Sequence, residues 1–206
     1  MLAISDINVY EIVQRDDDIQ ISRICDFVNM IDVDFINTNI FDVIEKEKSL
    51  KNGTIGIIEP WRDYEMIERY NTFCGNSTHY DIKSFILKSR EAYKTGLIKY
   101  QFASNFNPII EKFRKINRFI NNKGLKNFPC TEWLNNECIN YLVKNISMNM
   151  SNKEWLDFFH LIVPVAYCKS VFLDKRWFHA ISTIAKKNSN IACIYDKRRI
   201  ESFFQN

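Results

Sequence analysis

Two acids close short apolar runs near opposite ends of the chain. Asp6 follows Leu2-Ala3-Ile4-Ser5, and Asp174 follows Val171-Phe172-Leu173. Each placement predicts a carboxylate at the carboxyl end of a strand, where parallel α/β sheets bind their ligands. A third acid, Asp157, stands between Trp155-Leu156 and Phe158-Phe159, surroundings that favour a ligand or capping role over simple solvation. Carboxylates with water suit hard cations such as Mg²⁺ or Mn²⁺ rather than zinc. Such ions lower the pKa of an attacking water and neutralise charge on a scissile phosphate. Each acid also has a plainer role open to it: Asp6 as a helix cap, Asp174 as the surface partner of Lys175.

Other chemistries find less support. The six cysteines are scattered with no CxxC pair, and His79, His160 and His179 do not join them at zinc-ligand spacing. Reduced, half-buried thiols are therefore expected. There is no glycine-rich phosphate loop and no HExxH. His160, three residues after Asp157, reads as a core histidine satisfied by a backbone carbonyl. Trp61, Trp133, Trp155 and Trp177 read as core or core-edge anchors. Asp32-Val33-Asp34 reads as the start of a strand. The net charge is only +3, yet Lys169, Lys175, Arg176, Lys186, Lys187, Lys197, Arg198 and Arg199 crowd the end of the chain. They form either a solvated face or a phosphate-facing rim.

The elements that must position these residues follow from periodicity. Hydrophobic residues make up 46% of 206 residues, enough for one sizeable core. No apolar run approaches the roughly 20 residues that span a bilayer, and the start lacks the pattern of a secretory signal. A cytoplasmic protein is expected. Five glycines and four prolines imply short loops and abundant helices. Strands are predicted over 2–6, 33–36, 55–58, 170–173 and 191–195. Helices are predicted over 19–31, from a Thr38 or Asn39 cap onward, and over 63–73, 81–94, 108–122, 131–146, 177–187 and 199–204. Gly124 is expected to end the 108–122 helix. Ser151 and Glu154 make a capping box for a further helix that Pro164 should kink. Short apolar strands alternating with helices imply an α/β protein with a parallel sheet.

Asp6-Ile7-Asn8 after an apolar strand resembles the opening Asp-x-Asn of PIN-domain nucleases. Asp157-Phe158-Phe159-His160, Pro164, Tyr167 and Val171-Phe172-Leu173-Asp174-Lys175 resemble the C-terminal half of that family, where a helix supplies one acid and the next strand another. The separation, 174 − 157 = 17 residues, suits one helix plus one strand. The run 39–45 is similar to the family's polar residue, apolar stretch and Glu. That makes Glu45 the helix acid, with Asp42 one turn earlier as its competitor. The resemblance covers 1–50 and 153–204, and leaves 51–152 as a helical insertion or elaboration of a single domain spanning 1–206. Tyr167-Cys168-Lys169 departs from the pattern, in which an acid often follows the cysteine.

The resemblance implies a PIN-like three-layer fold with a parallel central sheet and an elaborated helical middle region. It implies a Mg²⁺- or Mn²⁺-dependent endoribonuclease hydrolysing RNA phosphodiester bonds, in a toxin or phage-defence role, with an inhibitory protein partner and with a homodimer left open. Asp6, Glu45, Asp157 and Asp174 would be catalytic and hold the metal, while Asn8, Lys169, Lys175 and Arg176 would contact RNA. The alternative is a catalytically inactive binding, immunity or regulatory protein of the same fold, which a Glu45 facing solvent away from the other acids would favour. A helical interaction protein without an acidic cluster is the third possibility.

Overall fold

The computed structural model describes residues 1–52, 59–74, 82–95, 102–122, 131–188 and 190–196. Its elements run β1 (Leu2–Ile4), α1 (Asp6–Val13), α2 (Asp18–Asn29), β2 (Val33–Phe35), α3 (Ile40–Lys51), α4 (Tyr64–Cys74), α5 (Ile82–Thr95), α6 (Phe102–Lys115), α7 (Thr131–Lys144), α8 (Asn152–Tyr167), β3 (Ser170–Leu173), α9 (Lys175–Ala185) and β4 (Cys193–Asp196). The expected strand over 55–58, the Gly124 stop and the closing helix over 199–204 lie outside the described residues. Among the described residues the strands form two parallel pairs, β1 with β2 and β3 with β4, rather than one sheet. Helices dominate, so the α/β class holds in a helix-rich form.

The chain divides into two compact units, and the unmatched middle is shared between them. The first comprises Met1–Asn37 and Trp61–Lys99. Here Leu2, Ala3 and Ile4 pair with Val33, Asp34 and Phe35. Val9 and Val13 of α1, Ile21, Cys25 and Val28 of α2, and Met66 and Tyr70 of α4 bury helical faces with Ile82, Phe85 and Ile86 of α5. The rings of Phe35, Tyr70 and Phe85 meet at centroid distances of 5.3 to 6.2 Å. Asp34 is buried in β2. Its carboxylate accepts from Arg62 Nε at 3.0 Å and Nη2 at 2.7 Å, so the DxD has a structural partner.

The second unit comprises Thr38–Pro60 and Tyr100–Asn206. Asn39 caps α3 through the Asp42 amide, and Ser151 and Glu154 close the expected capping box on α8. Trp133, Trp155, Phe158, Ile162, Trp177 and Ile181 are fully buried or nearly so and form the centre of this unit. Pro164 lies inside α8, which continues to Tyr167.

Two helices differ from expectation. Ser5 caps α1, a helix the periodicity did not reveal, because its eight residues bury only Val9 and Val13. Helix α6 begins at Phe102 and carries Pro108 in its interior, instead of starting there, and it ends at Lys115. Proline breaks an isolated helix, but here tertiary contacts hold the turns on either side of it. Phe102 and Phe106 pack on Phe159 at 5.1 and 5.2 Å, and Asn107 bonds both the Trp155 indole and the Met150 carbonyl. Asn117, at φ 46°, then turns the chain away.

Candidate functional site

The carboxyl end of the β3–β4 pair gathers the strongest chemical candidates. The two strands run in register from Ser170 opposite Cys193 to Leu173 opposite Asp196. Asp174 lies one residue beyond that register and Asp196 is its last member. Two acids therefore finish adjacent parallel strands. Asp174 is the N-cap of α9, and its Oδ1 accepts the Trp177 N–H at 2.9 Å. Trp177 itself is buried and anchors the first turn of α9.

Helix α8 enters β3 through Cys168 and Lys169, so helix and strand run antiparallel and the start of α8 stands at the level of the end of β3. Two contacts fix this alignment. Glu154 forms an ion pair with Arg176, and the Phe158 ring meets Trp177 at 5.5 Å. Asp157 lies between Glu154 and Phe158 on α8. It therefore falls at the same end of the unit as Asp174, half-buried. Lys175 is exposed and Arg176 half-buried in the first turn of α9, beside the same end. Lys169 precedes β3 and so stands at the opposite end, about 16 Å away at the rise of a strand. Lys187 is tied to Glu137 at 2.5 Å, while Lys197, Arg198 and Arg199 lie outside the described residues.

The other expected residues have clear local roles. Asp6 opens α1 in the first unit, and its Oδ1 accepts the Ile7 N–H at 2.8 Å. The cap itself is Ser5, and Asn8 accepts the Ser5 amide at 3.0 Å to complete a capping box. Helix α3 buries Ile40, Val43, Ile44 and Glu47 and leaves Glu45 exposed. Asp42 pairs with Lys46 at 2.6 Å.

Sequence reasoning missed Glu47 and Asp196. Glu47 is 3% exposed, and its Oε1 accepts the Tyr167 hydroxyl at 2.6 Å, with Thr131 of α7 also beside it. Burial pushes its carboxyl above the ordinary value, against the Tyr167 hydroxyl bond that pulls it down. The clue was its place three residues after Ile44 on the apolar stripe. Asp196 is buried and carries the same signal as Asp6 and Asp174, an acid closing an apolar run. Among the described residues, no three His, Cys, Asp or Glu side chains form a group that could hold a metal ion. Among them, too, no helix is long and apolar enough to cross a membrane. Comparisons with protein-family models, curated proteins and solved structures found no match.

Proposed function

We propose that this chain is a Mg²⁺- or Mn²⁺-dependent endoribonuclease of the PIN-like type, with Asp157 and Asp174 as the acids that its second unit supplies. One observation supports the reading above others: α8 and β3 bring these two acids to the same end of a parallel strand pair, where α/β proteins bind ligands. The donor chemistry fits. Mg²⁺ is usually held by one or two carboxylates together with waters and substrate phosphates, so it does not require a cage of protein ligands. When bound, the ion would supply a water of lowered pKa and charge neutralisation at the phosphate. The α9 cap bond holds the Asp174 carboxylate in one orientation. Lys175 and Arg176 would contact the flanking phosphates, with Arg176 exchanging Glu154 for the RNA. The toxin or defence role and the inhibitory protein partner belong to the same proposal.

Incubation of the chain with total RNA, tRNA or single-stranded RNA and Mn²⁺ tests it. Cleavage is expected, EDTA stops it, and Asp157→Asn or Asp174→Asn each slows it by about a hundredfold or more. At position 174 asparagine keeps an N-cap acceptor, so the loss there is not one of folding, and circular dichroism checks that Asp157→Asn is folded. Cleavage that persists in EDTA, or none with either ion, overturns the reading. A second reading, a catalytically inactive binding or regulatory protein, is favoured by the exposed Glu45 and by the lack of a three-acid group among the described residues. It predicts RNA retained but intact under the same conditions.

A further inference from the structure

The densest run of positive charge is not at the end of the chain. Residues 112–126 hold Lys112, Arg114, Lys115, Arg118, Lys123 and Lys126 with no acid among them. No acid occurs between Glu137 and Glu154 either, a stretch that contains Lys144. The fold joins these two segments. Arg114 Nη2 donates to the carbonyls of Leu142, Asn145 and Met148 at 2.8 to 3.0 Å, locking the end of α6 onto the end of α7. Asn140 of α7 then exchanges two hydrogen bonds with the backbone of Ile120, at 2.7 and 2.9 Å.

Apolar groups stand exposed on the surface built this way. Ile116 is 55% exposed, Phe119 41% and Ile146 78%. Lys144 Nζ sits 5.4 Å from the Phe119 ring centre, and the Arg118 guanidinium 5.8 Å from that of Phe113. Cations in the last turns of α6 and α7 complement the helix dipoles, but that accounts neither for Arg118, beyond the helix, nor for an exposed ring and exposed aliphatics between the charges.

We propose that the end of α6, the segment 116–122 and the end of α7 form a platform for single-stranded RNA. Lys112, Lys115, Arg118 and Lys144 would meet phosphates, and Phe119 would stack on a base. Charge complementarity names a polyanion, and the interleaved ring suits unstacked bases, whose faces an aromatic can cover. An anionic membrane fits less well. Interfacial helices bury one broad apolar face, whereas Lys112 and Lys115 lie between the exposed Ile109 of α6 and the exposed Ile116 just beyond it. The inference rests on the RNA reading above and locates where the strand is held.

Fluorescence anisotropy of labelled oligouridylate on the full chain, over a range of salt, tests it. The wild type should bind with a strong salt dependence. Lys115→Ala with Arg118→Ala should lower the slope of log K against log salt by about 0.7 for each cation removed. Phe119→Leu keeps the apolar surface and removes the ring. It should weaken binding by about tenfold with the slope unchanged. Circular dichroism checks that each variant is folded. Wild-type affinity and slope in all these variants overturn the platform while leaving nuclease activity intact. Conversely, binding lost in the variants, with no cleavage by the wild type, keeps the platform and refutes catalysis. Binding to phosphatidylserine vesicles but not to oligouridylate overturns it in favour of a membrane surface.

Discussion

Asp174 serves structure whether or not it serves chemistry, and two substitutions separate the roles. Its side chain satisfies the Trp177 amide at the start of α9. Asp174→Ala leaves that donor without its cap and should cost about 1 kcal/mol in denaturant melts, whereas Asp174→Asn should cost far less. If both substitutions destabilise equally, the cap is not what holds the residue. Glu47 offers a pH test. Its folded carboxyl titrates above the ordinary value of 4.5, so the native state retains a proton that the unfolded chain has released. This contribution is fully present below 4.5 and is lost as pH rises through the raised value. Glu47→Gln keeps an acceptor for Tyr167 and cannot titrate. The stability of the wild type relative to this variant should therefore fall as pH rises above the ordinary 4.5, as followed by urea unfolding. A difference independent of pH would show that burial does not govern this carboxyl.

At the level of elements, Arg114 stands out because one buried side chain ties the end of α6 to the end of α7 through three carbonyls. Arg114→Met would preserve much of the packing of the aliphatic stem and lose every one of those bonds. A loss of about 3 kcal/mol is expected, the scale of charge-assisted hydrogen bonds to groups that become unsatisfied. Faster amide exchange confined to the ends of α6 and α7 would accompany it. Unchanged stability would mean that water replaces the guanidinium at no cost. Contacts between α6 and α8 explain why α6 does not start at Pro108, where its sequence places the start. Pro108 looks like a first-turn proline from the sequence, but the aromatic contacts of Phe102 and Phe106 extend the helix through it.

For the whole molecule, the metal reading predicts a linkage measurable without any substrate. A cation that binds only the folded state stabilises it by RT ln(1 + [L]/Kd), about 2.7 kcal/mol at a hundredfold excess over Kd. Thermal melts of the wild type should rise with the logarithm of Mn²⁺ concentration. Asp157→Asn and Asp174→Asn should lose most of that rise, whereas Glu45→Gln, at an exposed position, should keep it. A variant that keeps the full increment carries a residue that does not touch the ion.

What the sequence by itself determined was local. Apolar runs marked β1, β2, β3 and β4, and the spacing of buried residues marked α2, α3, α7 and α9, because the periods of strand and helix are written residue by residue. The Ser151 capping box was legible for the same reason, since all its partners lie within one turn. Tertiary structure decided what depends on distant residues. It divided the strands into two parallel pairs and placed Asp157 level with Asp174 through contacts between α8 and α9. On α3 it buried Glu47 and exposed Glu45, two acids only two residues apart. A hydrophobic pattern names the face of a helix that turns inward, but it does not say which carboxylate will find a hydroxyl waiting there. That required Tyr167, contributed by the far end of α8.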